Sequence, residues 1–319
     1  MNPNFMTALE AVKRDGNTPE QRRIIEALAK TNEILLDMPV FEANDKTGMN
    51  HLIRTALPKG QHRGYNEGVT PEISHTKVTR DISVQVTGYS KVDEKIYREQ
   101  NDPKAFRHGE DMAYIAGMAE TQAEDLIYGN NETNPRFLNG LAVRRPKLVQ
   151  DLCISMNGTG SNLTSVFLCK MGKDGVSMFY PKGASGCGVQ MVDKGVRTEK
   201  DVNGGEYEAR VTYFEMNYGL SVGNDKSLIR ICNIDPATVD GDELAKKIIS
   251  AAKKLPKGEG DIVCYANSDV LNAIDMYLID KTNIQYTPTD QYGNEVTKLR
   301  NIKLRQVDAI LNTESQVTA

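Results

Sequence analysis

The alternation of apolar and polar positions is clearest between residues 76 and 92. Val78, Ile82, Val84, Val86 and Val92 fall on one face; Lys77, Thr79, Asp81, Ser83, Gln85 and Lys91 fall on the other. That period of two predicts a strand with one buried face. His51 to Leu57 predicts a partner strand, and the polar, glycine-rich stretch from Pro58 to Gly68 predicts a wet tip between them. An isolated two-stranded hairpin is marginal in water. A hairpin of this length therefore predicts a covering surface, either its own body or a neighbouring subunit.

The next pattern changes period. Met112, Ile115, Ala116, Ala119, Ala123, Leu126 and Ile127 recur at helical spacing, with Asp102-Pro103 as start signal and Gly129 as stop. A helix over 103–129 spans roughly 39 Å at about 1.5 Å per residue, long against a mean of about 11–12 residues. It has the proportions of a spine. Upstream, Thr18-Pro19-Glu20-Gln21 is a capping-box signature, and it predicts a helix from about 19 to 37.

Residues 135–235 predict strands. Ser165–Lys170 and Val176–Tyr180 flank the turn Met171-Gly172-Lys173-Asp174-Gly175, which predicts a hairpin. Val189–Val192, Glu206–Glu215 (Tyr207, Ala209, Val211 and Tyr213 on one face), Leu220–Val222 and Leu228–Ile234 follow. Leu244, Ile248, Ala251, Ala252 and Leu255 predict a helix over 242–255. Asp261–Tyr265 predicts a short strand, and Asn267 or Ser268 caps a second helix to about Lys281. Ile302–Leu311 predicts a final strand. No repeat or low-complexity linker interrupts the 319 residues, and the fold class predicted is α+β.

Composition narrows the function more by exclusion than by signal. The net charge is −4, with Lys and Arg interspersed among Asp and Glu, so contact with nucleic acid is expected to be weak and not sequence-specific. No apolar run approaches a membrane span, and Met1 to Glu10 lacks a signal-peptide pattern. The five cysteines (Cys153, Cys169, Cys187, Cys232, Cys264) are far apart in sequence and the four histidines are not at ligand spacing from them, so no metal site is expected. Cys169, Cys232 and Cys264 sit in apolar strand patterns, as small core residues.

Candidate chemistry is sparse. Gly158-Thr159-Gly160-Ser161 opens like a phosphate-binding turn, yet no third glycine and no helix follow. Gly183-Ala184-Ser185-Gly186-Cys187-Gly188 lacks the Gly-Lys-Ser/Thr ending of a P-loop and is expected to be a loop. His108 is expected to be a structural histidine and Cys187 lacks a nearby partner histidine. No catalytic residue, cofactor-binding residue, cofactor or metal ligand is assigned. An arm, a long hairpin and a spine helix without a chemical signature suit a chain that completes its burial against other subunits.

The order of these parts resembles the major capsid proteins of tailed double-stranded DNA bacteriophages with the Hong Kong 97-type fold, of a subgroup common among short-tailed phages. The resemblance rests on strings taken in order: Gly64-Tyr65-Asn66-Glu67-Gly68; Asn134-Pro135-Arg136-Phe137-Leu138-Asn139-Gly140-Leu141; Gly160-Ser161-Asn162-Leu163-Thr164-Ser165-Val166; Tyr180-Pro181-Lys182-Gly183; Tyr218-Gly219-Leu220-Ser221-Val222; and Arg230-Ile231-Cys232-Asn233-Ile234-Asp235. It covers about residues 20–311. It implies an N-terminal arm over 1–50 and an E-loop hairpin over 51–102. A P-domain of spine helix and strands, partly A-domain, follows over 103–235, and an A-domain over 236–319. The strand region 163–235 precedes the helix–strand–helix unit 242–281, whereas the commoner capsid order is the reverse; this implies a permuted connectivity of the same architecture.

The resemblance further implies a non-enzymatic coat protein. It self-assembles as pentamers and hexamers into an icosahedral head around packaged double-stranded DNA, in the bacterial host cytoplasm and finally in the virion. Scaffold, portal and cement proteins are further partners that it implies, with non-specific contact to the DNA and no membrane. Some members of the family weld subunits by a Lys–Asn isopeptide bond from an E-loop lysine; Lys59 stands near the hairpin tip and is expected to be a solvated loop lysine. Three rival classes remain at this point: an encapsulin-like cellular shell protein; a cytosolic α+β enzyme with a deep pocket and a hairpin folded on its own body; and another virion part, such as a portal or tail protein, which forms a ring and not a closed shell.

Overall fold

The computed structural model describes residues 33–99, 103–184, 186–200, 204–280 and 298–318. The long helix runs Pro103–Tyr128, 26 residues. Its buried stripe is Ile115, Met118, Ala119, Ala123, Leu126 and Ile127, and it stops where Gly129 donates its backbone N–H to Asp125 O at 2.9 Å. Asp102 lies outside the described residues. So does the expected helix 19–37, apart from its last turn Ile34–Asp37, which is helical and buries Ile34 and Leu35.

Around this spine stand two six-stranded sheets. The first contains β1 (Val40–Glu42), β2 (Gly48–Ala56), β3 (His75–Asp93), β6 (Val176–Tyr180), β7 (Gln190–Lys200) and β8 (Glu206–Val222). Its order is β1-β6-β8-β3-β2, with β7 also pairing β8. The second contains β4 (Cys153–Ser155), β5 (Thr164–Lys170), β9 (Leu228–Ile234), β10 (Ile262–Ala266), β11 (Lys298–Leu299) and β12 (Ile302–Gln306), in the order β11-β12-β10-β5-β9-β4. Helices Gly241–Ala252 and Ser268–Asp280 cover one of its faces. There Leu244, Ile248, Val270 and Ile274 pack on Val166, Leu168, Ile229, Ile231 and Cys264. Phe167, Cys169, Leu228, Val263 and Tyr265 point the other way, into the core shared with the spine helix.

The spine sits close to β3 because Gly88 has no side chain: a Cβ there would lie 2.3 Å from the Tyr114 ring. Tyr114 in turn stacks on Phe214 of β8, ring centres 5.0 Å apart.

The structure corrects four expectations. β5 and β6 are not a hairpin; they belong to different sheets, and the turn 171–175 carries the chain between them. The turn is as tight as a hairpin's, with Gly172 at positive φ and a Cβ on Gly175 only 2.3 Å from Lys170 O. The strands it joins nonetheless diverge, each captured by a partner distant in sequence. Glu206–Glu215 and Leu220–Val222 are one strand of 17 residues. Beyond Val211 it buries Thr212, Phe214, Met216, Tyr218 and Leu220 in alternation, and Ser221 and Val222 at its end, while Tyr207 and Tyr213 are not buried. The final strand ends at Gln306 rather than continuing to Leu311. Finally Asp81, expected on the wet face of β3, is buried, whereas Val78 is exposed. The partner that makes burial of Asp81 tolerable comes from another part of the chain.

Candidate assembly surface

β3 has two halves with different partners. From Ser83 to Asp93 it pairs with β8. From His75 to Ile82 it pairs with β2 alone. The boundary is a knot of polar groups. Asp81 Oδ1 accepts from Arg144 Nη2 at 2.8 Å, and Asp81 Oδ2 accepts from the Val222 backbone N–H at 3.2 Å. Arg144 also donates to Leu220 O and Asn139 O. His51 Nε2 lies 2.6 Å from Ser221 Oγ and 3.6 Å from Asp81 Oδ2. Asn44 and Asn50 exchange two hydrogen bonds, at 2.7 and 2.9 Å. Gly48 leaves room for Asp81 O, which a Cβ would approach to 2.4 Å. A buried carboxylate is tolerated when paired and fully bonded, so this knot fixes where the hairpin leaves the body.

Beyond the knot, none of the described residues covers the hairpin. Every residue from 54 to 78 is exposed. Among them are Leu57, Tyr65, Val69, Ile73 and Val78, and Leu52 just before is 70% exposed. Scattered exposed apolar residues are ordinary on a protein surface; a series on one projecting ribbon marks an interaction surface. Covering one such side chain contributes about 1.5–3 kcal/mol. Six are worth on the order of 10 kcal/mol before the cost of association. The tip is organised by polar contacts of its own: Glu72 accepts from the Lys59 backbone N–H at 2.8 Å, and that bond, foremost, holds its carboxyl below the ordinary value.

A second polar hub ties the C-terminal segment to the spine helix. Arg230 and Glu314 form a buried ion pair at 2.9 Å. Arg230 also donates to Ser165 Oγ at 3.0 Å and to the carbonyls of Ala142 and Arg145. Ser165 donates to Glu314, and Tyr128 donates to Glu314 Oε1 at 2.6 Å while accepting from the Leu311 N–H. Burial pushes the Tyr128 phenol up, so it stays a donor. A third buried contact, Tyr218 OH to Asp125 Oδ2 at 2.7 Å, fastens β8 to the spine; burial raises the Asp125 carboxyl above its ordinary value.

The sequence-level candidates for chemistry are dispersed. Lys59 is exposed at the hairpin tip and His108 is exposed on the spine helix. The 158–161 turn is occupied by its own chain: Gly158 N–H donates to Asn233 O, and Gly160 O accepts from Gln316. Cys187 is buried and burial pushes its thiol up, against nucleophilic use. Ser185 lies outside the described residues. Among the described residues, no group of three or more His, Cys, Asp or Glu is placed to hold a metal ion, and no helix is long and apolar enough to cross a membrane.

Sequence reasoning missed Asp81, Arg144, Arg230 and Glu314. The nearest signal was the Arg144-Arg145 pair inside an otherwise weakly charged stretch, which says that two cations need partners but not which.

Comparison with known proteins gives one family: the model described as Major capsid protein GP7 matches residues 15–318. A chain of the near-atomic structure of bacteriophage Epsilon15 is similar at 25% identity and TM-score 0.68, covering 89% of this chain and 88% of that one. The bacteriophage JBD30 capsid shares the fold at 8% identity and TM-score 0.51, covering 86% and 89%. An encapsulin of Synechococcus elongatus, the SrpI complex, aligns at 12% identity with a TM-score of 0.41 over 63% of this chain and 87% of that one, too distant to bear on function. No curated protein sequence matches significantly.

Proposed function

The chain belongs to the major capsid protein GP7 family, and on that premise we propose that it closes as pentamers and hexamers into an icosahedral phage head around packaged double-stranded DNA. It is a capsid shell protein with the Hong Kong 97-type fold, and its place is the virion. In this reading residues 1–50 are the N-arm, 51–102 the E-loop, 103–235 the P-domain with part of the A-domain, and 236–319 the A-domain. The element order is a permuted form of the commoner capsid connectivity. The role is structural and the subunit contacts are non-covalent.

The observation that carries the reading is the hairpin. Its root is fixed by Asp81 and Arg144, its outer half is left bare by the described residues, and its apolar side chains are available for an adjacent copy to cover. A net charge of −4 suits an inner surface that holds DNA without gripping it. Assembly in the host cytoplasm, with scaffold, portal and cement proteins as partners, belongs to the same proposal.

Electron microscopy with light scattering on the expressed chain, with and without a co-expressed scaffold, tests it. Closed particles tens of nanometres across, holding DNA when isolated from phage, are the expected result. A small uniform species under both conditions, or shells filled with a cargo enzyme, overturns it.

A further inference from the structure

Cys153 begins β4 and Cys232 lies in β9. The strands run parallel with Cys153 opposite Arg230, so Cys232 is the next residue on the same face. Their sulfurs are 3.7 Å apart, although 79 positions separate them in sequence. Both are buried, packed with Val317 and, at the edge, the half-buried Leu148. Val317 is held there by Asn233, which accepts from its N–H at 2.8 Å and donates to its carbonyl at 2.9 Å. β4 is the outermost strand of its sheet. Closing the gap to the roughly 2.05 Å of a disulfide therefore displaces an edge, not the core.

We propose that Cys153 and Cys232 are a modification site, which a peroxide-class oxidant converts into an intramolecular disulfide stapling β4 to β9 beneath the C-terminal segment. Cys153 is the attacking thiol. It lies on the edge strand, and the Cys232 contact foremost, with Arg230 and Arg145 nearby, lowers its thiol; either sulfur can donate across that contact. The Cys153 thiolate takes one oxygen of the peroxide to become a sulfenic acid, and the released hydroxide leaves as water with the thiol's proton. Cys232 sulfur then attacks the Cys153 sulfur; the S–S bond forms and the hydroxyl departs as a second water with the Cys232 proton. Two thiols are oxidised and one peroxide is reduced to two waters. Cys169, Cys187 and Cys264 stand apart, each with its thiol raised by burial.

The full folded chain is treated with hydrogen peroxide, quenched, denatured in an alkylating agent, and its thiols are counted and mapped. The expected count falls from five to three, the Cys153 and Cys232 peptides appear linked, and reductant restores all five. In Cys232→Ser no link forms and Cys153 is captured as the sulfenic acid by dimedone. The proposal is overturned if the count stays at five under oxidant that already converts the exposed Met276, if reductant does not restore the lost thiols, or if they map to Cys169, Cys187 or Cys264.

Discussion

The two sheets bury their side chains by opposite means. In the sheet that contains β5 and β9, this one chain covers both faces: helices Gly241–Ala252 and Ser268–Asp280 on one side, the spine-helix core on the other. All seven residues of β9 and the first six of β5 are buried. In the other sheet β3 is packed only where it pairs with β8; past Asp81 the apolar side chains of β3 and β2 are uncovered by any of the described residues. One region is complete in a single copy. The other is left open by the described residues, and under the proposed function a neighbour completes it, so subunit stability and shell assembly are expected to be separable by mutation.

The largest effect is expected inside the complete region. Arg230→Ala leaves the Glu314 carboxylate buried without its cation, which costs about 3–5 kcal/mol. Urea unfolding of the unassembled chain is expected to show a midpoint shift of that size or a loss of soluble protein. A wild-type midpoint would mean that the hub is not what holds the C-terminal segment.

The contrast itself is sharpened by a pair of truncations. Ile231→Ala, in the buried β9, is expected to cost about 2–5 kcal/mol. Leu52→Asp with Ile73→Asp, in the exposed hairpin, is expected to change subunit stability by less than about 1 kcal/mol in total yet abolish closed particles by light scattering. Equal effects on both readouts would erase the distinction.

A smaller effect concerns pH. Asp125 is buried against Tyr218, and burial raises its carboxyl above the ordinary 3.8. A carboxyl raised on folding keeps its proton longer in the folded state than in the unfolded one. Stability therefore falls as pH rises from the ordinary value through the raised one, and is level above it. Asp125→Asn is expected to flatten that part of a urea-midpoint profile taken from pH 4 to pH 7; an unchanged slope contradicts the assignment. The smallest effect is expected at the hairpin tip, where Lys59→Ala should leave subunits running as separate 35.4 kDa chains on denaturing gels, as in the wild type. A ladder of linked subunits that disappears in Lys59→Ala would contradict non-covalent assembly.

Much of this architecture was legible from local periodicity. The spine helix, the hairpin strands and the two later helices emerged near their observed bounds because each carries one strong pattern over many residues. What local pattern does not contain is the identity of partners. Residues 171–175 look the same whether the strands they join pair together or part into two sheets. Tyr207 and Tyr213 share a face with Ala209 and Val211, but β8 has apolar residues on both faces, and only its neighbours decide which is covered. Asp81 is polar in an alternating strand and so reads as wet; Arg144, 63 positions away, makes it dry. Cys153 and Cys232 look unrelated until two strands are laid side by side. The hairpin itself was legible, because its alternation runs over many residues; what covers it is an expectation that the assembled particle tests.

The most direct test is a cryo-electron microscopy map of the assembled particle at side-chain resolution, centred on residues 52–78. The account predicts a closed shell in which Leu52, Leu57, Ile73 and Val78 are covered by an adjacent subunit while the Asp81–Arg144 pair at the root is retained. A shell in which the hairpin stands free in solvent, or lies on the body of its own subunit, would contradict it.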